Sequence, residues 1–277
     1  MEPNREQIEK IKKVELDILK ELITVCDKLG LKYYLSEGTL LGTVRHMGFI
    51  PWDDDIDIGM VRDDYEIFVK KAPELLPEGY FVQSFETDKE YLNNFAKIRN
   101  SNTTFIETTA KNLKINHGIY IDIFPLDFIT SNVKKQKRLM KKERLLRARI
   151  ALGFDTDSKK MSLKTKLGRL ALRVRYPSVK GAVKKRERLI TSSSQKDLCI
   201  SWSSAWYRKE IFPLSWFGDG EFLEFEGLKC RVPKEYDKWL TAVYGDYMQL
   251  PPEEKRVAHH FAEVIDTEKP YTEYIKA

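Results

Sequence analysis

The chain has 277 residues, of which 42% are hydrophobic and 32% charged, and its formal net charge is +6. That length is sufficient for one large domain or two small ones with a substantial core. Its three cysteines have no paired spacing, which argues against a disulfide framework and favours a reducing compartment. The sequence shows neither a signal-peptide pattern at its N-terminus nor a run of about 18 apolar residues, so we expect a cytoplasmic protein.

The first predicted element is an amphipathic helix from Arg5 to Leu29, because apolar residues recur along one face and Gly30 follows as a helix stop. Two further helices are predicted at residues 39–46 and 63–75. Apolar patterning predicts strands at residues 31–35, 55–60, 80–85, 95–99 and 118–124. The fold class that follows is α+β, with helices around a mixed sheet.

The strand at 55–60 carries a pair of carboxylates. Asp55 and Asp57 alternate with Ile56 and Ile58, so both acids lie on one face of the strand and both isoleucines on the other. Paired carboxylates repel one another, and a divalent cation offsets that repulsion. Oxygen ligands suit Mg²⁺ or Mn²⁺, so Asp55 and Asp57 are predicted metal ligands. The alternative is an acidic surface loop without a ligand.

A Gly-Thr turn precedes this acidic strand. Ser36, Gly38 and Thr39 connect the strand at 31–35 to the short helix, where backbone N–H groups and the threonine hydroxyl can bind a phosphate. Arg45, about two turns further on, either reaches the same phosphate or caps the C-terminus of the helix. A Gly-Thr turn followed by Asp-hydrophobic-Asp-hydrophobic resembles the paired motifs of the nucleotidyltransferase superfamily.

A third carboxylate is predicted from the strand at 118–124. Asp122 is the acid in the apolar run GIYIDIFP, and its burial costs free energy unless a partner compensates. With Asp55 and Asp57 it would complete a catalytic and metal-binding triad of the kind used in phosphoryl transfer. We assign Asp55 and Asp57 to the ion that bridges the donor phosphates, and Asp122 to a second ion or to proton acceptance. The alternative for Asp122 is a buried structural hydrogen bond.

Four stretches of the sequence resemble the LicD family of phosphorylcholine transferases, which is related to the fukutin-type enzymes. They are EGTLLGTVRHMGFIPWDDDIDIGM at 37–60, FAKIRNSNTTF at 95–105, HGIYIDIFPLD at 117–127 and VPKEYDKWLTAVYGDYMQLPPEEKRVAHH at 232–260. The resemblance implies a nucleotidyltransferase-like fold and transfer of a phospho-alcohol from a CDP-activated donor, typically CDP-choline. The acceptor that it implies is a hydroxyl of a cell-surface glycan or of its lipid-linked precursor, and the leaving group is CMP.

Four further residues are predicted to contact substrate. Lys97 and Arg99 lie on one face of their strand and either point towards the donor phosphates or form a solvated strand edge. Trp52 either stacks on a base or a quaternary ammonium, or packs in the core. His259 matches the C-terminal histidine pattern of the family, so the resemblance implies that it contacts substrate.

Positive charge is concentrated in the middle of the chain. Residues 134–190 contain 21 Lys and Arg against four acidic residues, a local net charge of +17. Within this segment LKTKLGRLALRV is a basic amphipathic helix whose apolar stripe is Leu163, Leu167, Leu170 and Val174. Either this helix contacts an anionic membrane or a phosphate-bearing polymer, or it docks on the main domain. No nucleic-acid-binding signature accompanies the charge, so no nucleic-acid partner is predicted.

The motifs and the charge pattern divide the chain into three parts. Residues 1–130 are predicted to form a nucleotidyltransferase-like catalytic core and residues 131–200 a basic helical insertion. Residues 201–277 are predicted to complete the substrate cleft. Any membrane contact is expected through residues 131–190, as peripheral attachment at the inner membrane face.

Two other functions remain open from the sequence. A glycosyltransferase with an Asp-x-Asp motif would use Asp55 and Asp57 with a nucleotide-sugar, although the pair comes early in the chain for that fold. A non-enzymatic calcium-binding module would use Asp53, Asp55 and Asp57, although Gly59 is one place late for an EF-hand loop.

Overall fold

The computed structural model describes residues 5–154, 163–204, 210–256 and 261–275. Within those ranges the chain forms seven α-helices: α1 (Arg5–Leu29), α2 (Glu37–His46), α3 (Arg62–Lys71), α4 (Val133–Phe154), α5 (Leu163–Arg175), α6 (Val179–Ile190) and α7 (Tyr236–Tyr244). The same ranges contain eleven β-strands: β1 (Tyr34–Leu35), β2 (Asp57–Val61), β3 (Tyr80–Gln83), β4 (Ala96–Asn100), β5 (Thr104–Glu107), β6 (Ile119–Ile129), β7 (Leu198–Ser201), β8 (Ile211–Pro213), β9 (Glu221–Phe225), β10 (Leu228–Val232) and β11 (Ala262–Asp266). Helices surround a mixed sheet, which confirms the predicted α+β class.

Seven of these strands form one mixed sheet around β6. The strand order is β1-β2-β6-β4-β3, and β7 and β8 continue the sheet from the second half of β6. β2 and β6 are parallel, whereas the other pairs are antiparallel. Every residue of β6 is buried, and this strand pairs with β2, β4 and β7, so it is the centre of the sheet.

A proline lies inside the central strand. The strand was predicted to end at residue 124, but β6 runs through Pro125 to Ile129. The N–H of Asp122 donates towards β2, so by alternation the nitrogen of Pro125 faces the opposite side. On that side β4 pairs only as far as Ile123 and β7 begins at Leu126. The missing N–H therefore falls in the gap between two partner strands, where no ladder hydrogen bond is lost.

Helix α1 covers one face of the sheet. Its predicted apolar face is buried in the main core, and it ends at the predicted residue, where Gly30 adopts a left-handed φ of 66°. The buried side chains on that face include Ile11, Ile18, Leu22 and Val25. The long first helix and its stop signal are thus confirmed.

The basic segment after β6 forms three helices and then rejoins the sheet. α4 and α6 pack against each other, and α5 lies against α4. β7 pairs with β6, so sheet pairing resumes at Leu198, shortly before the predicted end of the insertion at residue 200. Among the helices described here, none combines the length and the apolar composition needed to cross a bilayer.

Several elements were not predicted from the sequence. β9 and β10 form a separate hairpin, β11 pairs with β5, and α7 follows the hairpin. The strand predicted at 31–35 is reduced to two residues, and α2 begins at Glu37 rather than at Thr39. All three cysteines are free and buried, in agreement with the absence of a disulfide framework.

Candidate functional site

The two predicted acidic strands lie side by side. Asp57 of β2 and Asp122 of β6 are direct register partners, and the N–H of Asp122 donates to the carbonyl of Ile56 at 2.9 Å. Neighbouring strands lie about 4.8 Å apart, and register partners project from the same face of a sheet. The parallel pairing of β2 with β6 therefore brings together two acids that are far apart in the sequence.

The turn between β1 and α2 is hydrogen-bonded to the backbone of the first residue of β2. The N–H of Ser36 donates to the carbonyl of Asp57 at 3.0 Å, and the hydroxyl oxygen of Thr39 accepts the N–H of Asp57 at 2.8 Å. Thr39 is buried, so its side chain faces the strand and not the solvent. Ser36 and Thr39 therefore position the acidic strand, and their contact with a donor phosphate stays a prediction.

The residues just before β2 add further carboxylates. Asp53, Asp54 and Asp55 each offer one oxygen, and these oxygens lie within 4.8 Å of one another. A Cβ atom on Gly38 would overlap Oδ2 of Asp53, so the absence of a side chain there lets this carboxylate approach the first turn of α2. Amides in a first helical turn lack acceptors within the helix and favour negative charge. The Asp53 carboxylate thus lies at the place where the sequence predicted a phosphate.

The acidic groups repel one another. Burial, and then the charges of Asp55 and Asp122, raise the pKa of Asp57 well above its ordinary value. Lys97 offsets part of this charge, because its Nζ lies 2.8 Å from Oδ1 of Asp122 and both side chains are buried. Lys97 thus compensates part of the negative charge at Asp122.

This arrangement fits a divalent cation. The available ligands are carboxylate oxygens, the hard donors that Mg²⁺ and Mn²⁺ prefer. The clustered oxygens of Asp53 and Asp55 lie beside the register partners Asp57 and Asp122, and all four acids line one cleft. A bound cation would relieve the mutual repulsion that raises the pKa of Asp57. The residues that could hold the ion are thus the three predicted acids and, in addition, Asp53.

The cleft has a volume of about 910 Å³ and is open to solvent. Its wall combines the carboxylates with aromatic, hydroxyl and basic side chains, and it includes six of the residues predicted from the sequence. Those six are Gly38, Arg45, Trp52, Asp55, Asp57 and Asp122. The space and the mixture of lining groups suit a polar ligand with a charged portion.

Arg45 and Trp52 have partners of their own on the cleft wall. Nη1 of Arg45 donates to the carbonyl of Tyr247 at 2.8 Å, and its Nε donates to Nδ1 of His46, the last residue of α2, at 3.5 Å. Burial lowers the pKa of Arg45. The guanidinium of Arg256 lies 5.4 Å from the centre of the Trp52 ring, and Trp52 also contacts the core. Trp52 therefore already stacks on a cation, which is the type of contact predicted for a quaternary ammonium.

Lys97 and Arg99 share a face of β4 but differ in environment. Arg99 is fully buried, and it donates to Gln83 Oε1 at 2.6 Å and to the carbonyl of Gly118 at 2.7 Å. The structure does not bring Arg99 to the acidic cleft, because these acceptors hold its guanidinium inside the fold. Lys97 reaches the site through Asp122 and does not line the cleft itself. The predicted solvated edge is absent at both residues, since β4 lies between β3 and β6.

A second pair of acids, Glu37 on the cleft wall and Glu210 beside it, was not predicted from the sequence. The side chains of Glu37 and Glu210 are hydrogen-bonded to each other, and the hydroxyl of Ser204 donates to Glu210 Oε1. Burial raises the pKa of Glu37 well above its ordinary value and that of Glu210 to about 7. Two carboxyl groups share a hydrogen bond only when one of them carries the proton. No spacing in the sequence links residue 37 to residue 210.

The basic insertion also supports the cleft. Arg186 of α6 donates to Oδ1 of Asn94 at 2.6 Å and to the carbonyl of Trp202 at 3.2 Å. Phe95 and Ser203, the next residues along the chain in each case, line the cleft. One buried guanidinium therefore positions two segments of the cleft wall, a role that the sequence did not reveal.

Two of the predictions from the sequence fall elsewhere. An EF-hand loop connects two helices, whereas residues 57–61 form β2 inside the sheet, so the structure does not support the calcium-module alternative. His259 lies outside the described residues.

Comparisons with known proteins identify relatives of this chain. A family model described as "LicD/FKTN/FKRP, nucleotidyltransferase domain" matches residues 30–150, which include both acidic strands. The chain is 34% identical to the lipopolysaccharide cholinephosphotransferase LicD of Haemophilus influenzae, over 90% of this chain and 94% of that protein. It is 42% identical over 43 residues to the human ribitol 5-phosphate transferase FKRP, which covers 16% of this chain and 9% of that protein. A stretch of 51 residues is 41% identical to mouse ribitol-5-phosphate transferase FKTN, covering 17% and 11% of the two chains.

Proposed function

Because the chain belongs to the LicD family and is a phosphotransferase, we propose that it transfers phosphocholine from CDP-choline to a hydroxyl of a cell-surface glycan or of its lipid-linked precursor. In this reaction the acceptor oxygen forms a bond to the phosphorus that carries choline, and the bond from that phosphorus to CMP breaks. The acceptor hydroxyl loses its proton, and CMP leaves with the electron pair of the broken bond.

The observation that carries the proposal is the direct register of Asp57 with Asp122 at an acidic cleft. Transfer of a phosphoryl group needs charge neutralisation and in-line positioning more than covalent help from the protein. Mg²⁺ or Mn²⁺ bound by Asp55, Asp57 and Asp122, with Asp53, would supply positive charge to the donor diphosphate. Asp57 and Asp122 project from one face of the sheet, and Asp53 and Asp55 line the same cleft, which supports a joint role for these acids.

Three further residues would orient a carboxylate or bind the donor. Lys97 holds one oxygen of Asp122 and so orients this carboxylate, which either binds a second ion or accepts the acceptor's proton. Arg45 lies on the cleft wall, where its charge can attract the donor phosphates. Trp52 offers an aromatic face to the base or to the choline ammonium once Arg256 moves aside.

The arrangement of α2, β2 and β6 supports a nucleotidyltransferase-like core. A helix follows β1, its first turn faces the acid cluster, and the third carboxylate arrives on a parallel neighbouring strand. The name of the matching family model is consistent with that assignment. This core would bind the nucleotide half of the donor, which leaves the C-terminal side of the cleft for the acceptor.

Turnover with defined donors tests the proposal. The purified chain is incubated with CDP-choline, CDP-ribitol or a UDP-sugar, with lipopolysaccharide as glycan acceptor and with Mg²⁺ or EDTA. We expect CMP release and choline transfer that need the metal, and a loss on the order of 100-fold in Asp57→Asn and Asp122→Asn. The matched control is Asp63→Asn, which removes an exposed acid paired with Lys196 outside the cleft.

Other outcomes would overturn parts of the proposal. UDP release from a UDP-sugar without CMP release would favour the glycosyltransferase alternative. Turnover of CDP-ribitol in place of CDP-choline would change the donor alcohol while keeping the reaction class. Full activity of the folded Asp57→Asn variant would remove the metal assignment.

A further inference from the structure

Helix α5 presents an apolar stripe to solvent. Leu167, Leu170 and Val174 follow the helical repeat along one face, and they are 58%, 57% and 75% exposed. The sequence left open whether this stripe docks on the main domain, and these exposures exclude that arrangement. Large apolar side chains that share one face and remain exposed indicate a surface that binds something else.

The opposite side of α5 attaches the helix to the protein. Leu172 packs into a cluster that includes Leu146 and Ile150 of α4 and Tyr176 just beyond α5. The helix is therefore docked through the face that lacks the stripe, so exposure of the stripe does not arise from an undocked helix. This geometry presents the apolar face outward on a fixed support.

The charges on α5 itself are all positive. α5 contains five basic residues and no acidic one. A rotation of about 100° per residue puts Lys166 and Arg173 along one edge of the stripe and Arg175 along the other, and all three are exposed. The surrounding insertion is also basic, with a net charge of +17 over residues 134–190. An apolar band between two rows of cations is typical of helices that lie in a membrane interface.

We propose that α5 binds the surface of an anionic bilayer, with Leu167, Leu170 and Val174 inserted between the lipid headgroups. The cations at its edges would contact lipid phosphates, and the helix axis would lie parallel to the membrane plane. This inference does not depend on the reaction proposed above. A second copy of the chain is a poorer partner, because a two-fold contact would place like charges opposite one another. A soluble anionic polymer would use the cations but leave the apolar stripe in water.

Vesicle flotation with the full chain provides the first test. The protein is mixed with vesicles of phosphatidylcholine alone or with added phosphatidylglycerol, at low and high salt. We expect binding only to the anionic vesicles and weaker binding at high salt. The variant Leu167→Ser, Leu170→Ser, Val174→Ser should bind roughly 100-fold more weakly, since three apolar side chains no longer enter the interface. Lys166→Gln with Arg173→Gln should weaken binding about 30-fold.

Matched controls remove similar groups elsewhere. Ile67→Ser with Phe222→Ser deletes two exposed apolar side chains outside the insertion, and Lys13→Gln with Lys28→Gln deletes two cations from α1. Both controls should bind the anionic vesicles like the unmodified chain. Equal losses in the controls and in the α5 variants would overturn the proposal, because binding would then follow total charge or hydrophobicity.

A fluorescent label gives a direct readout of insertion. The three native cysteines are buried, so a maleimide dye reacts selectively with an introduced exposed cysteine. An environment-sensitive dye on Leu170→Cys should shift to the blue when anionic vesicles are added, whereas the same dye on Ser194→Cys should not. Absence of a shift at position 170 would refute insertion even if the protein floats. Loss of self-association in the serine variant, with vesicle binding unchanged, would instead assign the stripe to a second copy of the chain.

Discussion

Replacement of Gly38 by alanine should separate activity from stability. A Cβ atom at this position would overlap Oδ2 of Asp53, which must then retreat by about 1 Å to reach an ordinary contact distance. A displacement of that size at a reacting centre can cost about 100-fold in rate. Alanine also favours helix over glycine by up to about 1 kcal/mol, and this gain opposes the strain of the displaced carboxylate. We therefore expect CMP release to fall roughly 100-fold while the free energy of unfolding changes by less than about 1 kcal/mol.

The matched control for this variant is Gly168→Ala in α5. A Cβ atom on Gly168 meets no other atom within 4 Å, so the substitution should raise the free energy of unfolding by about 1 kcal/mol and leave CMP release unchanged. Urea unfolding measures stability, and CMP release at increasing Mg²⁺ concentration measures the site. Normal turnover in Gly38→Ala would refute the role of the Asp53 carboxylate. A loss of turnover that matches an equal loss of stability would show that the defect lies in folding.

Three further variants test the buried charges. Lys97→Met leaves the Asp122 carboxylate without its cation and should lower the free energy of unfolding by about 3 kcal/mol, and adding Asp122→Asn should restore part of this loss in urea unfolding. Arg62→Met should cost about 3 to 5 kcal/mol, because its Nε lies 2.6 Å from Oδ1 of the fully buried Asp127, and an unchanged urea midpoint would contradict this value. Burial raises the pKa of Glu210 from 4.5 to about 7, so the folded chain binds a proton more tightly than the unfolded chain in this range. Its stability should then fall as the pH rises towards 7, and Glu210→Gln should show a flatter profile in thermal unfolding; equal slopes would refute the shared proton.

The elements that the sequence predicts well are those with a strong local pattern. α1 combines a continuous apolar face with a glycine stop, and its predicted end at Leu29 agrees with the structure. The starts of β2, β4 and β6 lie within two residues of the predicted ones, because apolar residues mark these strands locally. By contrast, the full length of β6 depends on where β4 ends and β7 begins, and that information is not local to Pro125.

The candidate site divides in the same way. Alternation of Asp55 and Asp57 with isoleucines identifies the acidic strand, and the isolated acid in an apolar run identifies Asp122. The hydrogen bond between Glu37 and Glu210 arises from tertiary structure, and no periodicity in the sequence predicts it. For Arg99 the strand and the strand face were predicted correctly. Its hydrogen-bond acceptors lie inside the fold, however, so its guanidinium does not reach the cleft.

The place where the helical insertion joins the sheet determines how the length of the insertion can vary. The last residue of β6, Ile129, is the register partner of the first residue of β7, Leu198. The segment between them therefore leaves the sheet and rejoins it at the same place. Its length can therefore change, or a tight reversal can replace it, without any exchange of strand order. A shortened version would lose the two hydrogen bonds that Arg186 donates to Asn94 and to the carbonyl of Trp202. Other side chains would then have to hold those loops in place.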